Sequence, residues 1–220
     1  MRFLVTAGPT REHLDPVRFL SNCSTGRMGF AVAAAAAEAG HAVTLVAGPV
    51  ALATPPGATR VDVVSARDML AAVQARLDDA DVLVMTAAVA DWRPRHTAAA
   101  KLKKTEMNPV IELEPNPDIL KTLAPTKGGR LFVGFAAETG DPLPEARRKL
   151  AAKGLDLIVA NDVSRVDSGF AVETNRVTLI GAEGTFAPLP LMAKLDVARE
   201  IVRWCEARRP AAAAAPRAPG

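Results

Sequence analysis

Runs of buried-strand character alternate with helical stretches along most of this chain. Arg2–Ala7, Ala42–Ala47, Val61–Val64, Val82–Met85, Leu131–Phe135 and Leu157–Ala160 are predicted as strands. Helices are predicted over Gly26–Ala39, Ser65–Leu77, Asp118–Leu123, Leu143–Lys153 and Lys194–Arg208. The first helix has high propensity from Ala31 and Ala33–Ala37, and Gly40 stands where a C-cap stops it. Ser65 with Asp68 three residues later reads as a capping box. Pro117 is expected at the start of its short helix, a position proline tolerates. Thr10–Thr25 reads as a long loop, Val110–Leu113 as a short strand and Val177–Ile180 as an antiparallel edge. Such alternation predicts an α/β fold, a mostly parallel sheet with helices on both faces. Right-handed crossovers then bring every βα loop to one edge, where ligands of open sheets bind.

Composition narrows the class. At 220 residues the chain fits one domain, 1–209. Such a domain buries roughly 70% of its unfolded surface, so it requires neither disulfides nor a structural metal. Residues 210–220, Ala- and Pro-rich, have little to bury and are expected to be a disordered tail. A net charge of +3 does not demand a nucleic-acid partner, since local anion sites account for it equally. Cys23 and Cys205 share no metal-ligand spacing, which suits a reduced, intracellular compartment. The apolar stretch from Phe30 to Ala51 is broken by Glu38, Gly40, His41 and Pro49, so no membrane span is expected. His13, His41 and His96 lack paired spacing, and no protein-bound metal centre is assigned.

Three stretches could carry chemistry. Small residues Thr86-Ala87-Ala88 follow the strand Val82–Met85, then come Asp91 and the lysines 101, 103 and 104 on what reads as a mobile flap. A carboxylate that grips a sugar hydroxyl beside cations that grip phosphates suggests a nucleotide site, although a solvated charge run has the same composition. Ser21 to Gly29 precedes a helix, where free N–H groups and hydroxyls form an anion site. The same residues also serve as caps and turns, and neither the dinucleotide nor the P-loop glycine fingerprint is present. Within it, the Asn22 amide could donate to a developing oxyanion or bond its own loop, and Cys23 reads as a passive loop cysteine. Lys149 and Lys153 share a helix face, where like charges cost about 0.2–0.5 kcal/mol unless an anion or solvent relieves them. Phe135 stands at a strand end, placed to stack on a base or to pack in the core.

Ordered motifs extend these stretches: Ala7-Gly8-Pro9-Thr10-Arg11-Glu12, Asp15-Pro16-Val17-Arg18, Ser21-Asn22 through Gly29, Ala87 to Asp91, Lys101-Leu102-Lys103-Lys104, Asn116-Pro117-Asp118-Ile119, Gly134 to Thr139 and Ala160-Asn161-Asp162. Together they resemble the bacterial phosphopantothenate–cysteine ligase family from Met1 to about Arg208. The resemblance implies a Rossmann-like sheet with a small antiparallel edge, a cytoplasmic homodimer and a role in coenzyme A biosynthesis. It implies CTP with Mg²⁺ as the activating nucleotide, with 4′-phosphopantothenate and cysteine joined through an acyl-cytidylate. By motif position, Lys101 is expected in acyl-cytidylate formation and Asn22 at the acyl group, with Ser24 and Gly26 beside the substrate. Met85, Thr86, Ala87, Asp91, Lys101, Pro117, Asp118, Ile119, Leu120, Phe135, Lys149 and Lys153 are expected at the nucleotide. Many bacterial relatives carry a flavin-dependent decarboxylase ahead of this unit, so no decarboxylase activity is expected of the chain as given.

Two other classes compete. A Rossmann-type NAD(P) reductase would carry a glycine fingerprint and usually a tyrosine–lysine pair, but this sequence has no tyrosine. A non-catalytic nucleotide-binding module would bind CTP without releasing pyrophosphate.

Overall fold

The computed structural model describes residues 1–105, 110–164 and 172–208; the tail expected at 210–220 lies outside the described residues. Its main sheet holds strands β1 (Arg2–Ala7), β2 (Ala42–Ala47), β3 (Ala58–Asp62), β4 (Val82–Met85), β5 (Leu131–Glu138), β6 (Leu157–Asp162), β7 (Val177–Gly181) and β8 (Phe186–Pro188). They lie in the order β8-β7-β6-β5-β4-β1-β2-β3. Every neighbouring pair from β3 to β6 is parallel. Strands β7 and β8 add antiparallel on one edge, as expected of Val177–Ile180. The order reverses between β1 and β4, so their C-terminal ends open a crevice at the switch point.

Alternating residues of the strands feed two cores. Phe3, Val5, Val43, Leu45, Val82 and Val84 face α1 (Arg27–Glu38) and α5 (Lys194–Glu206), where Phe30, Val197, Ile201 and Trp204 are buried. Leu4, Val46, Leu83, Phe132 and Ile158 face the opposite layer, α2 (Ala66–Leu77), α3 (Ile119–Leu123) and α4 (Leu143–Ala152). Burial on both faces explains the apolar runs, each such side chain contributing roughly 1.5–3 kcal/mol. The capping box holds: Ser65 Oγ accepts from Asp68 N at 3.1 Å, and Asp68 Oδ2 from Ser65 N at 2.9 Å. Buried Glu12 adds a further cap, its Oε1 accepting the Ala66 N–H at 2.9 Å.

Several expectations need correction. Within Thr10–Thr25, Arg11–His13 and Phe19–Ser21 pair as a hairpin, too short for any apolar period to betray. The strand expected at Val110–Leu113 forms instead at Leu113–Pro115, because its partner is Trp92–Pro94, remote in sequence. The strand expected at Val61–Val64 runs over Ala58–Asp62, in register with β2. Pro117 lies outside α3, whose N-cap is Asp118, with Oδ1 accepting from Lys121 N at 3.1 Å. The lysine segment is not unpacked at its root: Leu102 N donates to Asp15 Oδ2 at 3.2 Å, and Leu102 O accepts from Arg18 at 2.9 Å. Among the described residues no helix is long and apolar enough to cross a membrane.

Candidate active site

Two cavities flank the C-terminal ends of β1, β4 and β5 and share a wall of Ala87, Ala88, Phe135 and Ala137. Their shape begins with how β1 and β4 end. The pairing of the two strands continues into Pro9 and Ala88, and Ala88 N donates to Gly8 O at 2.9 Å. Thr6 Oγ1 accepts from Ala87 N at 3.2 Å, Thr10 Oγ1 accepts from Ala90 N at 2.9 Å, and Thr86 Oγ1 donates to Thr6 O. Buried threonines of one strand end thus fix the backbone of the other, leaving only small side chains toward the cavities.

The first cavity, of about 130 Å³, is the mouth of α1. Gly26 caps that helix at φ 79°, a left-handed conformation that favours glycine. Gly29, one turn in, allows α1 to reach the sheet: a Cβ there would stand 2.3 Å from Thr86 Oγ1 and 2.5 Å from Ala7 Cβ. Ser24, Thr25 and Gly26 line this cavity with Thr86, at the start of α1. Arg27, Asn161, Asn175 and Lys194 complete it. Burial pushes the Lys194 ammonium down to about 8, and the neighbouring Arg27 charge adds to the effect.

The second cavity, of about 310 Å³, opens on the far side of Phe135. Met85 and Ala87 supply one wall, Asp91 and Asn116 the rim, and Pro117 through Leu120 the floor below Lys149 and Lys153. Asn116 holds rim and floor together, its Nδ2 donating to Ala90 O at 2.9 Å while its N–H donates to Asp91 O at 2.7 Å. The two lysines of α4 are neutralised separately. Lys149 Nζ lies 2.6 Å from Glu138 Oε1, and Lys153 Nζ lies 3.0 Å from Asp118 Oδ2. Burial works to raise the Asp118 carboxyl, but the Lys121 N–H and the Lys153 ammonium outweigh it and hold the group below the usual range.

Nearly all the residues expected at the nucleotide therefore meet in one cavity. Thr86 faces the first cavity instead, and Lys101 and Asn22 line neither. Asn22 is exposed at the rim, its Nδ2 donating to Ala88 O at 3.0 Å and Val89 O at 3.3 Å. It bonds across to the shared wall rather than to its own loop. Lys101 is exposed beside the clasp made by Asp15 and Arg18. Cys23 is free and exposed, whereas Cys205 is buried and its thiol is pushed up to about 12 by that burial. Sequence reasoning missed Arg27, Lys194 and Asn175. Arg27 and Asn175 carry no spacing signal, and Lys194 looks like an ordinary helix-start residue.

Comparison with known proteins agrees with this architecture. Residues 1–208 match the family model described as DNA/pantothenate metabolism flavoprotein C-terminal domain. The coenzyme A biosynthesis bifunctional protein CoaBC of Bacillus subtilis is 49% identical over 201 residues, which are 91% of this chain and 50% of that protein. Its counterpart in Escherichia coli K12 is 48% identical over 198 residues, 88% of this chain and 48% of that protein. The chain thus spans about half the length of the curated relatives it matches. A crystal structure of the C-terminal domain of CoaBC superposes with a TM-score of 0.81 at 45% identity, covering 94% of both chains. By sequence, strand order and the crevice those strands open, this chain belongs to the family of DNA/pantothenate metabolism flavoprotein C-terminal domains.

Proposed function

We propose that the paired cavities join 4′-phosphopantothenate to cysteine at the expense of CTP, in coenzyme A biosynthesis. The observation that carries this reading is the gathering of Met85, Ala87, Asp91, the Pro117–Leu120 turn, Phe135 and the two α4 lysines around one cavity. Those residues are scattered over 69 positions of sequence from Met85 to Lys153, and a nucleotide site would give them a common purpose. Phe135 offers a ring face to a base, and backbone groups around Ala87 offer edge contacts, which suits discrimination of cytosine from adenine. Lys149 and Lys153, the cations lining this cavity among the described residues, are assigned to the nucleotide.

A carboxylate does not accept an amine until its oxygen becomes a good leaving group. In the first step a carboxylate oxygen of 4′-phosphopantothenate attacks the α-phosphorus of CTP. A P–O bond forms, the α–β P–O bond breaks, and pyrophosphate leaves. In the second step the cysteine amine attacks the acyl carbon, the C–O bond to CMP breaks, and the amine gives up a proton. Lys101 is assigned to the charge that builds on the departing pyrophosphate. Asn22 is assigned to the acyl oxygen, since its amide already stands at the carbonyl of Ala88 on the shared wall and that of Val89 next to it. Ser24 and Gly26 hold the acid substrate at the mouth of α1. Mg²⁺, bound beside the triphosphate, would offset the negative charge of its phosphates. Asp91 and Asp118 are the carboxylates lining the second cavity, hard oxygen donors of the kind Mg²⁺ takes beside phosphates.

We assign the chain to a cytoplasmic homodimer. Val17, Trp92, Val110, Ile111 and Leu113 are exposed on and beside the two hairpins that pack together next to the rim. Apolar exposure of that kind fits self-association. Sedimentation of the chain and of Trp92→Glu tests it, with a dimer expected for the first and a monomer for the second.

The activity test is direct. Purified chain with CTP, Mg²⁺, 4′-phosphopantothenate and cysteine should release pyrophosphate and CMP in equal amounts. Binding of CTP with no pyrophosphate released on adding the acid would instead support a nucleotide-binding module. Substituting ATP should give AMP far more slowly.

A further inference from the structure

One end of the first cavity holds residues that the reaction scheme above leaves without a role. Arg27, on the first turn of α1, and Lys194, the first residue of α5, converge there. Lys194 is only 5% exposed, a rare state for lysine, and its Nζ donates to the carbonyl of Val172. Arg27 contacts Glu173 through its guanidinium, yet its Nε is buried and has no hydrogen-bond partner among the described residues. A buried donor left in that condition costs free energy that a bound acceptor would recover.

The rest of the lining points the same way. Asn161 and Asn175 contribute amides, Ser24 and Thr25 hydroxyls, and α1 its first N–H groups. Among the described residues no carboxylate lines this cavity, whereas Asp91 and Asp118 line the second. A volume of about 130 Å³ is small for a whole nucleotide and suits a tetrahedral anion with its linking oxygen.

We propose that Lys194 and Arg27 form a phosphoryl-binding end of the first cavity, and that Lys194 determines specificity by separating phosphorylated from unphosphorylated reactants. The proposal rests on the ligase reading for the identity of those reactants. Two of them carry such a group, the polyphosphate of the nucleotide and the phosphomonoester of the acid, and both present the same chemistry to the buried Lys194 ammonium and the half-buried Arg27 guanidinium.

Calorimetric titration of the full chain distinguishes the sources. Wild type, Lys194→Met and Lys194→Arg are each titrated with CTP, cytidine, 4′-phosphopantothenate and pantothenate. Loss of a buried charge partner should cut at least one phosphorylated-to-unphosphorylated affinity ratio about tenfold or more in Lys194→Met, with Lys194→Arg keeping most of it. A fall in the CTP-to-cytidine ratio assigns the end to the polyphosphate, and a fall in the phosphopantothenate-to-pantothenate ratio assigns it to the phosphomonoester. Either supports the proposal. A Lys194→Met chain with a native melting curve and both ratios unchanged overturns it. Should Lys194→Met fail to fold, the same two ratios in Arg27→Gln decide, and no change there overturns it as well. Wild type that shows these ratios yet releases no CMP would sink the ligase reading and leave the anion site standing.

Discussion

Asp15, fully buried, accepts the backbone N–H of Leu102 at 3.2 Å, and so ties the hairpin of residues 11–21 to the neighbour of Lys101. The same carboxylate accepts Arg18 Nε at 3.0 Å and the N–H groups of Val17 and Arg18 at 2.8 and 2.9 Å. Arg18 in turn donates to Leu102 O at 2.9 Å, closing a clasp that sets where Lys101 leaves the packed structure.

The clasp makes a prediction about both rate and acid stability. The Arg18 guanidinium, helped by those N–H groups and opposed by burial, holds the Asp15 carboxyl far below the usual range. A carboxyl with a depressed folded pKa contributes stability that is present above its unfolded value and lost as pH falls through the folded one. Asp15→Asn should therefore lower Tm at neutral pH, with the gap to wild type closing only in strong acid. Pyrophosphate release by the folded variant should also slow, because Lys101 is no longer held. A variant that keeps its wild-type rate would separate the clasp from the chemistry.

Lys101 and Asn22 should fail at different steps. Lys101→Gln is expected to abolish pyrophosphate release. Asn22→Asp is expected to allow pyrophosphate release but stall, with acyl-cytidylate accumulating in quenched mixtures analysed by mass spectrometry. Normal pyrophosphate release in Lys101→Gln, or no trapped intermediate in Asn22→Asp, would move these residues to other roles. Cys23→Ser should remain active, and its inactivity would point to a thiol nucleophile.

Lys194 gives an alkaline signature. Its folded pKa of about 8 lies below its ordinary value of 10.5, so between those limits the unfolded chain binds the extra proton. Stability should then rise with pH across that window, by on the order of 3 kcal/mol relative to Lys194→Met. Urea melts of both proteins from pH 7 to 10.5 measure it. A constant difference would show that the ammonium is not desolvated in the unliganded chain.

Gly29 tests the approach of α1 to the crevice. In Gly29→Ala the added methyl meets Thr86 Oγ1, Ala7 Cβ and, at 2.8 Å, the carbonyl of Thr6. Overpacking of this kind costs about 1–3 kcal/mol, against the small gain alanine brings to a helix interior. Lower stability and weaker CTP binding are expected together, since Thr86 faces one cavity and its neighbour Ala87 both. An unchanged melt would mean that α1 slides away at no cost.

The inner strands of the main sheet were legible because they are buried on both faces, and a run such as Val82-Leu83-Val84-Met85 has few other uses, whereas β3 and β8, partly exposed at the two edges, were misplaced and missed. Met85, the Pro117–Leu120 turn and the α4 lysines were legible through the ordered motifs that carry them, not through their chemistry alone. Residues 11–13 and 113–115 were not legible as strands. Three residues are too few to show a period, and each of these strands exists only because a partner segment lies beside it.

Sequence by itself determined the doubly wound sheet, the helix start at Ser24 to Gly29 and most of the residues that gather around the second cavity, because propensity, apolar patterning and short motifs are local properties. Only the tertiary structure decided that the crevice is two cavities divided at Phe135, and that Thr86 serves one while Met85 serves the other. Tertiary structure also brought Lys194 beside Arg27 across 167 positions of sequence. The physical reason is that burial and charge proximity depend on which elements pack side by side, and that pairing is fixed by the whole sheet rather than by any one stretch of it.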